Sequence, residues 1–426
     1  MSVQRMSSPM FRTVQGVLRR LWMSRRFDFE DSPAQSSRQL LVDVSVIMQN
    51  DARTGIQRVV RALLGQLSSM SLPGFIAIPV FATRDHGYCR AHLASDGTIK
   101  VAGVTAKSRQ RVRPRPGDIF LGLDLAANIA PHNEWEIESW RRQGVAINFM
   151  VYDLLPLNRP DWFVPSTVRN FTQWIGVIAR QADQCICISQ SVGLALAAEL
   201  PKRGVRALPE ITTIPLGVDI AASFPTIGLP PEITALRSWM EQHRVILSVG
   251  TIEPRKGHRC VLRAMTELWR SQPRNDLALL IVGKPGWKTE DLQEELRLHP
   301  EHGKRLRWFD AASDELLAEV YAQASGLIAA SYGEGFGLPL VEAQAHGTPV
   351  LARDLPVFRE IGEGVFHYFS DDSPRSLANS IETWLGSTGR TVPLSTDGLP
   401  RWSDSALALV NRLGIKTARI RDGGRR

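Results

Sequence analysis

The chain has 426 residues, 43 % of them apolar and 22 % charged, a balance that excludes a mostly disordered protein and leaves room for two or three domains. The formal net charge of +8 brings nucleic-acid and membrane binding into view. Its placement weakens the first: residues 1–26 carry six Arg and no acid, residues 412–426 carry five Arg, one Lys and one Asp, and everything between sums to −3. No apolar run reaches the about 18 residues of a membrane span. The N-terminus lacks the apolar core and small-residue cleavage site of a secretory leader. Cys89, Cys185, Cys187 and Cys260 show no disulfide framework and no metal spacing, which fits a reducing cytosol.

In chain order, 1–39 is a basic N-terminal extension. Within it Met10, Phe11, Val14, Val17, Leu18, Leu21 and Trp22 recur at helical spacing among arginines. Such a helix lies on an anionic bilayer or packs on protein. From 40 onward strand and helix patterns alternate. Strands are predicted at 40–47, 75–81, 118–123, 145–152, 184–188 and 211–214, and helices at 55–69, 134–143, 166–181 and 189–200. On the strand at 184–188, Cys185 and Cys187 share a buried face. A proline-bearing linker spans 215–242, and the pattern then restarts. Strands fit 245–249, 277–282, 306–309, 326–330 and 349–352; helices fit 259–270, 290–298, 339–346 and a stretch up to 324 capped by Asp314. A last helical stretch covers 402–420. The alternation predicts an α/β chain with domains at 40–215 and 216–400, followed by a C-terminal helix and basic tail at 401–426. Lys107, Arg109, Arg111, Arg113 and Arg115 add a basic stretch that suits either an anionic surface or a solvated loop.

The densest chemistry lies in Ser331-Tyr-Gly-Glu-Gly-Phe-Gly-Leu-Pro-Leu-Val-Glu-Ala343, which leaves a buried strand and opens a helix. Gly333, Gly335 and Gly337 let backbone approach a ligand, and the helix N-terminus from Gly335 through Phe336, Gly337 and Leu338 offers free N–H groups to a phosphate. Glu334 precedes the helix and Glu342 sits eight positions later. One carboxylate reaches a group over the phosphates while the other binds hydroxyls further along a nucleotide. A second strand end, Val249-Gly-Thr-Ile-Glu-Pro-Arg-Lys-Gly-His258, carries Gly250, Thr251, Arg255 and Lys256, two adjacent cations suited to a diphosphate.

These two stretches resemble the E-x7-E motif and the donor-phosphate loop of retaining glycosyltransferases of family 4. In many relatives an Arg follows the first Gly of that loop; Thr251 stands there here, and Arg255 is placed to substitute. Asp51-Ala-Arg-Thr-Gly-Ile-Gln-Arg-Val-Val-Arg61 resembles the first strand–loop–helix of members that build bacterial surface polysaccharides, many of them mannosyltransferases. The resemblance places Gly55 near the donor diphosphate, while Arg58 and Arg61 face either cleft or solvent. Val151-Tyr-Asp-Leu-Leu-Pro-Leu157 resembles the strand end where relatives carry His-Asp; Tyr152 replaces the His and Asp153 is kept, as an acceptor-hydroxyl partner or a turn former. Asp124 has the same role at a neighbouring strand end, and Ser189 reads as a helix N-cap.

The resemblance implies a GT-B architecture, two Rossmann-like doubly wound domains facing across a cleft. It implies transfer of a hexose, mannose from GDP-mannose, with UDP- and dTDP-sugars left open. The acceptor is a hydroxyl of a polysaccharide or a lipid-linked oligosaccharide. Glu334, Arg255, Lys256 and Asp153 carry the chemistry. Gly55, Gly250, Thr251, Gly335, Phe336, Gly337, Leu338 and Glu342 hold the nucleotide sugar. No cofactor and no metal is expected, because the cations and the helix N-terminus carry the leaving-group charge. The expected setting is the cytoplasm, peripheral to an anionic membrane, with no nucleic-acid partner. A nucleotide-sugar epimerase of the same fold and a basic nucleic-acid-binding protein are the alternatives; the glutamate pair and the acidic body weigh against them.

Overall fold

The computed structural model describes residues 37–102, 110–204, 207–272, 276–362, 364–388 and 398–416. The amphipathic segment at 10–22, Lys107, Arg109 and the tail from 417 lie outside them.

Two sheets form, as two restarts of one alternating pattern require. The first contains β1 (Arg38–Asp43), β2 (Phe75–Phe81), β3 (Cys89–Leu93), β4 (Ile99–Val101), β5 (Ile119–Gly122), β6 (Ala146–Val151), β7 (Gln184–Cys187) and β8 (Glu210–Thr213), in the order β4-β3-β2-β1-β5-β6-β7-β8. Its strands are parallel from β2 through β8, with the β3–β4 hairpin added antiparallel at one edge. The second contains β9 (Arg244–Val249), β10 (Leu277–Val282), β11 (Leu306–Phe309), β12 (Gly326–Ala329), β13 (Val350–Arg353) and β14 (His367–Phe369). All are parallel, in the order β11-β10-β9-β12-β13-β14. Central strands such as LALLIV of β10 are buried throughout, the signature of parallel strands covered by helices on both faces. Among the helices are α1 (Gly55–Ser69), α2 (His258–Ser271), α3 (Asp314–Gln323), α4 (Leu338–Ala345) and α5 (Trp402–Arg412).

Several elements depart from the periodicity, each for a local reason. The apolar run from residue 40 leaves the sheet after Asp43, and residues Ser45–Gln49 turn into a short helix. Asp124 accepts hydrogen bonds from the backbone N–H of Val46 and Ile47 at 2.9 and 2.7 Å, capping that turn. Val44 and Ile47 stay buried, so hydropathy does not distinguish the two conformations. The helix of Asp314 is capped by Ser313, whose hydroxyl accepts from Leu316 N at 3.0 Å, which frees Asp314 for other partners. The hairpin β3–β4, the strand β14 and helices Pro356–Gly362 and Pro374–Thr388 have weak or short periodic patterns and are added by the structure. Arg111 is exposed and pairs with the buried Glu136 at 2.9 Å, and Arg115 donates to the Ser37 carbonyl at 2.6 Å. Cys185 and Cys187 share β7 and all four cysteines are buried free thiols; burial pushes the Cys187 thiol up to about 12. Among the described residues no helix is long and apolar enough to cross a membrane.

Helix α5 crosses back from the second domain and buries Trp402, Ala406, Leu409 and Val410 in the first domain's core. The crossing is pinned by backbone: Trp402 N donates to Asp219 at 2.8 Å and Val218 N to the Pro400 carbonyl at 3.1 Å. Gly217 passes so close that a Cβ there would lie 2.3 Å from Trp402 N. Trp402 is 1 % exposed. Trp402→Ala should cost about 3–5 kcal/mol by leaving an unfilled core site. Chemical denaturation checks this against Leu298→Ser, a change at a 74 % exposed position that should leave stability unmoved.

Candidate active site

The two motif loops meet because β9 and β12 are adjacent parallel strands whose carboxyl ends open on the same edge. The loop after β9 turns back on Gly250 (φ +142°) and Gly257 (φ +71°), and a Cβ at Gly257 would sit 2.2 Å from the Ala330 carbonyl oxygen at the end of the β12 segment. That approach sets Arg255 and Lys256 against Glu334. Arg255 donates to Glu334 Oε2 at 2.6 Å and Lys256 to Oε1 at 2.5 Å, and the Ser331 hydroxyl also donates to Oε1, at 2.8 Å. Glu253 supports the arrangement from below, pairing with Arg255 at 2.8 Å. Thr251 turns its methyl toward Gly286 and leaves the cations to its successors.

The electrostatics follow from burial and pairing. Burial opposes ionisation of Glu334, but Arg255 and Lys256 outweigh it and bring the carboxyl down to about 2. Burial raises Asp153 above its usual range, with Arg255 pulling the other way. Glu253 is raised by burial as well, against the same two cations. His258 opens α2 behind the loop. Burial and Lys256 lower it to about 4, so its ring is neutral; Nε2 donates to the Gly250 carbonyl and Nδ1 accepts from the Ser248 hydroxyl, both at 3.1 Å. A cavity of about 10 Å³, room for about one water, lies between Lys256, Ser331, Glu334 and Gly337. A larger concavity of about 760 Å³ opens at the amino ends of β6 and β7, where Arg141 is paired with Asp183; that is the wrong end of a parallel sheet for a nucleotide.

The first domain closes over this edge. A Cβ at Gly335 would lie 1.8 Å from the Tyr152 carbonyl oxygen and 3.1 Å from Asp153 Cβ, so Asp153 is brought to the glycine loop. Ser189 caps its own helix, accepting from Val192 N at 3.1 Å, and donates across the seam to the Gly335 carbonyl at 2.7 Å. Phe336 and Leu338 pack against the first domain's core, and a Cβ at Gly55 would lie 3.7 Å from Leu338 Cδ1. Arg58 faces the cleft, where it donates to both Glu342 and Asp314. Tyr321 fills the other oxygen of Glu342 at 2.9 Å. Arg61 is buried and paired with Asp51 at 2.6 Å.

Glu334, Arg255, Lys256, Asp153, Gly250 and Gly335 therefore converge. Glu342 lies along α4 with Arg58, Asp314 and Tyr321 as a second polar cluster. Asp124 does not join them: its oxygens take the N–H groups of Val46, Ile47 and Leu125. Tyr152 is buried and spends its hydroxyl on the Leu123 carbonyl at 2.6 Å, a structural use. Sequence reasoning missed Glu253, Ser331 and His258, although all three lie inside the quoted motifs. Tyr321 carried no local signal at all.

Residues 235–391 match the family described as Glycosyl transferases group 1. The chain is 37 % identical over 402 residues to the serotype-specific mannosyltransferase WbdA of Escherichia coli, across 92 % of this chain and 46 % of the relative. It thus spans about half the length of that relative. Its fold is similar to that of sucrose-phosphate synthase from Thermosynechococcus elongatus, with TM-score 0.62 and 18 % identity over 88 % of this chain and 98 % of the other. It is also similar to HepE of Anabaena in complex with UDP and glucose, with TM-score 0.56 and 16 % identity over 88 % and 95 %.

Two predictions come from this geometry. Gly335 has an ordinary φ, so it is first-domain atoms, chiefly the Tyr152 carbonyl and then Asp153 Cβ, that exclude a side chain there. Gly335→Ala should keep its stability within about 1 kcal/mol of wild type but hold the domains apart, read as a larger radius of gyration in small-angle scattering. His258 is depressed from 6.5 to about 4, so the unfolded chain takes up its proton first as the pH falls. The stability it contributes is complete above 6.5 and is lost as the pH drops toward 4. His258→Gln should flatten that loss, measured by denaturant unfolding across the window.

Proposed function

The chain belongs to the group 1 glycosyltransferases of GT-B fold, and from that premise we propose that it moves a hexosyl group from a nucleoside diphosphate sugar to a saccharide hydroxyl with retention of configuration. The observation that carries this is the carboxylate of Glu334 held between Arg255 and Lys256 at the carboxyl ends of β9 and β12. An arriving diphosphate competes for both cations. As they turn to its oxygens, Glu334 is released to accept hydrogen bonds from the donor-sugar hydroxyls. The free N–H groups at the start of α4 add to the same anion site.

The bond between the anomeric carbon and the diphosphate oxygen breaks, the anomeric centre gains oxocarbenium character, and negative charge grows on the leaving group. Arg255 and Lys256, by then turned to the diphosphate, stabilise that charge. The acceptor oxygen attacks from the face the diphosphate leaves, and its proton passes to a leaving phosphate oxygen, so no protein nucleophile is required. Asp153, at the glycine loop, accepts a hydrogen bond from an acceptor hydroxyl. Glu342 takes the ribose hydroxyls once Arg58 yields one of its oxygens. In this reading two protein cations do the work of a divalent ion.

The donor in this proposal is GDP-mannose and the acceptor a growing polysaccharide or lipid-linked oligosaccharide. Likeness to a serotype-specific mannosyltransferase supports mannose as the sugar moved. The arginines of 1–26 and 412–426 would hold the enzyme at the cytoplasmic face of an anionic membrane. A thermal-shift panel of GDP-, UDP-, dTDP- and ADP-sugars tests the donor: GDP-mannose should stabilise the wild type and fail on Glu342→Ala. Equal response of the two proteins sinks the site. With a mannosyl acceptor, Arg255→Ala should lower kcat about 10²–10³-fold, and chelator should leave the wild type active.

A further inference from the structure

Large apolar side chains left in water near a reaction centre ask for an occupant. Trp287 is 37 % exposed and Tyr332 36 % exposed, one on the loop after β10 and the other beside Glu334. Both touch the same first-domain segment. The ring of Tyr332 lies 6.5 Å from that of Trp162, and the ring of Trp287 lies 6.2 Å from that of Phe163 at a shallow 32° tilt. The Trp287 indole N–H donates to the Trp162 carbonyl at 2.8 Å. An aromatic strip therefore runs across the domain seam.

The strip is built rather than incidental. Lys288, in the left-handed region at φ +56°, reaches over to donate to the carbonyls of Asp161 and Phe163 at 2.9 and 2.8 Å. The Arg159 guanidinium sits 4.0 Å over the Trp162 ring, and Arg353 sits 4.2 Å over that of Tyr332. The strip also ends at the chemistry: a Cβ at Gly333 would lie 2.9 Å from the Trp162 ring, and the next residue is Glu334. Tyr332 N donates to the Arg255 carbonyl at 2.7 Å, tying the ring's position to the cation loop.

We propose that Trp287 and Tyr332, seated on Trp162 and Phe163, form a binding platform for the acceptor saccharide, stacking the hexose rings that precede the reacting hydroxyl. The inference rests on the transferase reading above and adds to it where the acceptor chain lies. Charge decides the class of occupant. Arg159 is paired with Asp161 at 2.9 Å, Lys288 is spent on carbonyls, and Arg353 is paired with Asp372. Each of these cations therefore already has a partner in the protein. Electron-rich ring faces match the polarised C–H faces of a neutral sugar. The strip offers two exposed rings, far less than a specific protein interface buries, but enough for one or two hexoses.

Saturation-transfer NMR and kinetics with α-linked mannotetraose test this. Wild type should show saccharide signals that Trp287→Ala loses and Trp287→Phe keeps, because Phe retains a face and lacks the indole N–H. In transfer assays Trp287→Ala and Tyr332→Ala should raise the acceptor KM about tenfold, against a change of less than about twofold in the GDP-mannose KM. Equal NMR signals from wild type and Trp287→Ala overturn the platform. So does a Phe variant as impaired as the Ala variant, since the seam hydrogen bond would then be the cause. If the wild type binds mannotetraose through Trp287 yet transfers nothing from any nucleotide sugar, the transferase reading falls and the platform stands.

Discussion

A carboxylate taken out of water has to be neutralised where it stands. Glu334 is such a group, and the architecture of the second domain follows from how it is met. Arg255, Lys256 and Ser331 satisfy it from two different loops, so those loops must leave neighbouring strands at the same edge. The pairing of β9 with β12 provides this, and Gly257 lets the loops touch by admitting the Ala330 carbonyl where a side chain would stand. Glu253 and His258 hold the loop from behind, one by charge and one by two neutral hydrogen bonds. The result is a pair of cations held side by side at one strand edge.

The same economy appears at the seam between domains. Many contacts there are backbone carbonyls met by side-chain donors: Ser189 to Gly335, Trp287 to Trp162, Lys288 to Asp161 and Phe163, Lys284 to Ala52; Glu360 adds a carboxylate that accepts from the backbone of Gln190 and from the backbone and hydroxyl of Ser191. Such bonds are individually modest and re-form readily with water, so they hold a closed arrangement without locking it. Arg58 differs. It bridges Glu342 and Asp314 from the other domain in a nearly buried site, so a ligand that takes an oxygen of Glu342 must leave Arg58 with Asp314 as its remaining partner.

Much of this was legible in the chain. Two rounds of alternating strand and helix patterns forecast two parallel sheets, and the glycines with their flanking charges marked the strand ends that converge. Legibility failed where the decisive partner is remote in sequence. The apolar run past Asp43 reads as strand, yet Asp124, some eighty positions away, supplies the caps that coil it. Asp124 itself reads as a cleft carboxylate because a strand-end Asp looks alike whether it faces a ligand or a backbone turn. Arg58 stood undecided between cleft and solvent for the same reason: helical spacing gives its face, but not what that face meets.

Local spacing is enough to read the central parallel strands, the loops that bend on glycine, the two motifs that carry carboxylates and cations, and the terminal position of the basic charge. Those properties depend on neighbours within a few residues, where covalent geometry sets the spacing. What only the tertiary structure decided is pairing at a distance. Glu334 meets Arg255 and Lys256, Glu342 meets Arg58, and Gly335 meets the Tyr152 carbonyl because sheet order and domain closure bring separate loops within hydrogen-bond reach. Buried charge demands a partner, but only the fold specifies which one is near enough to serve.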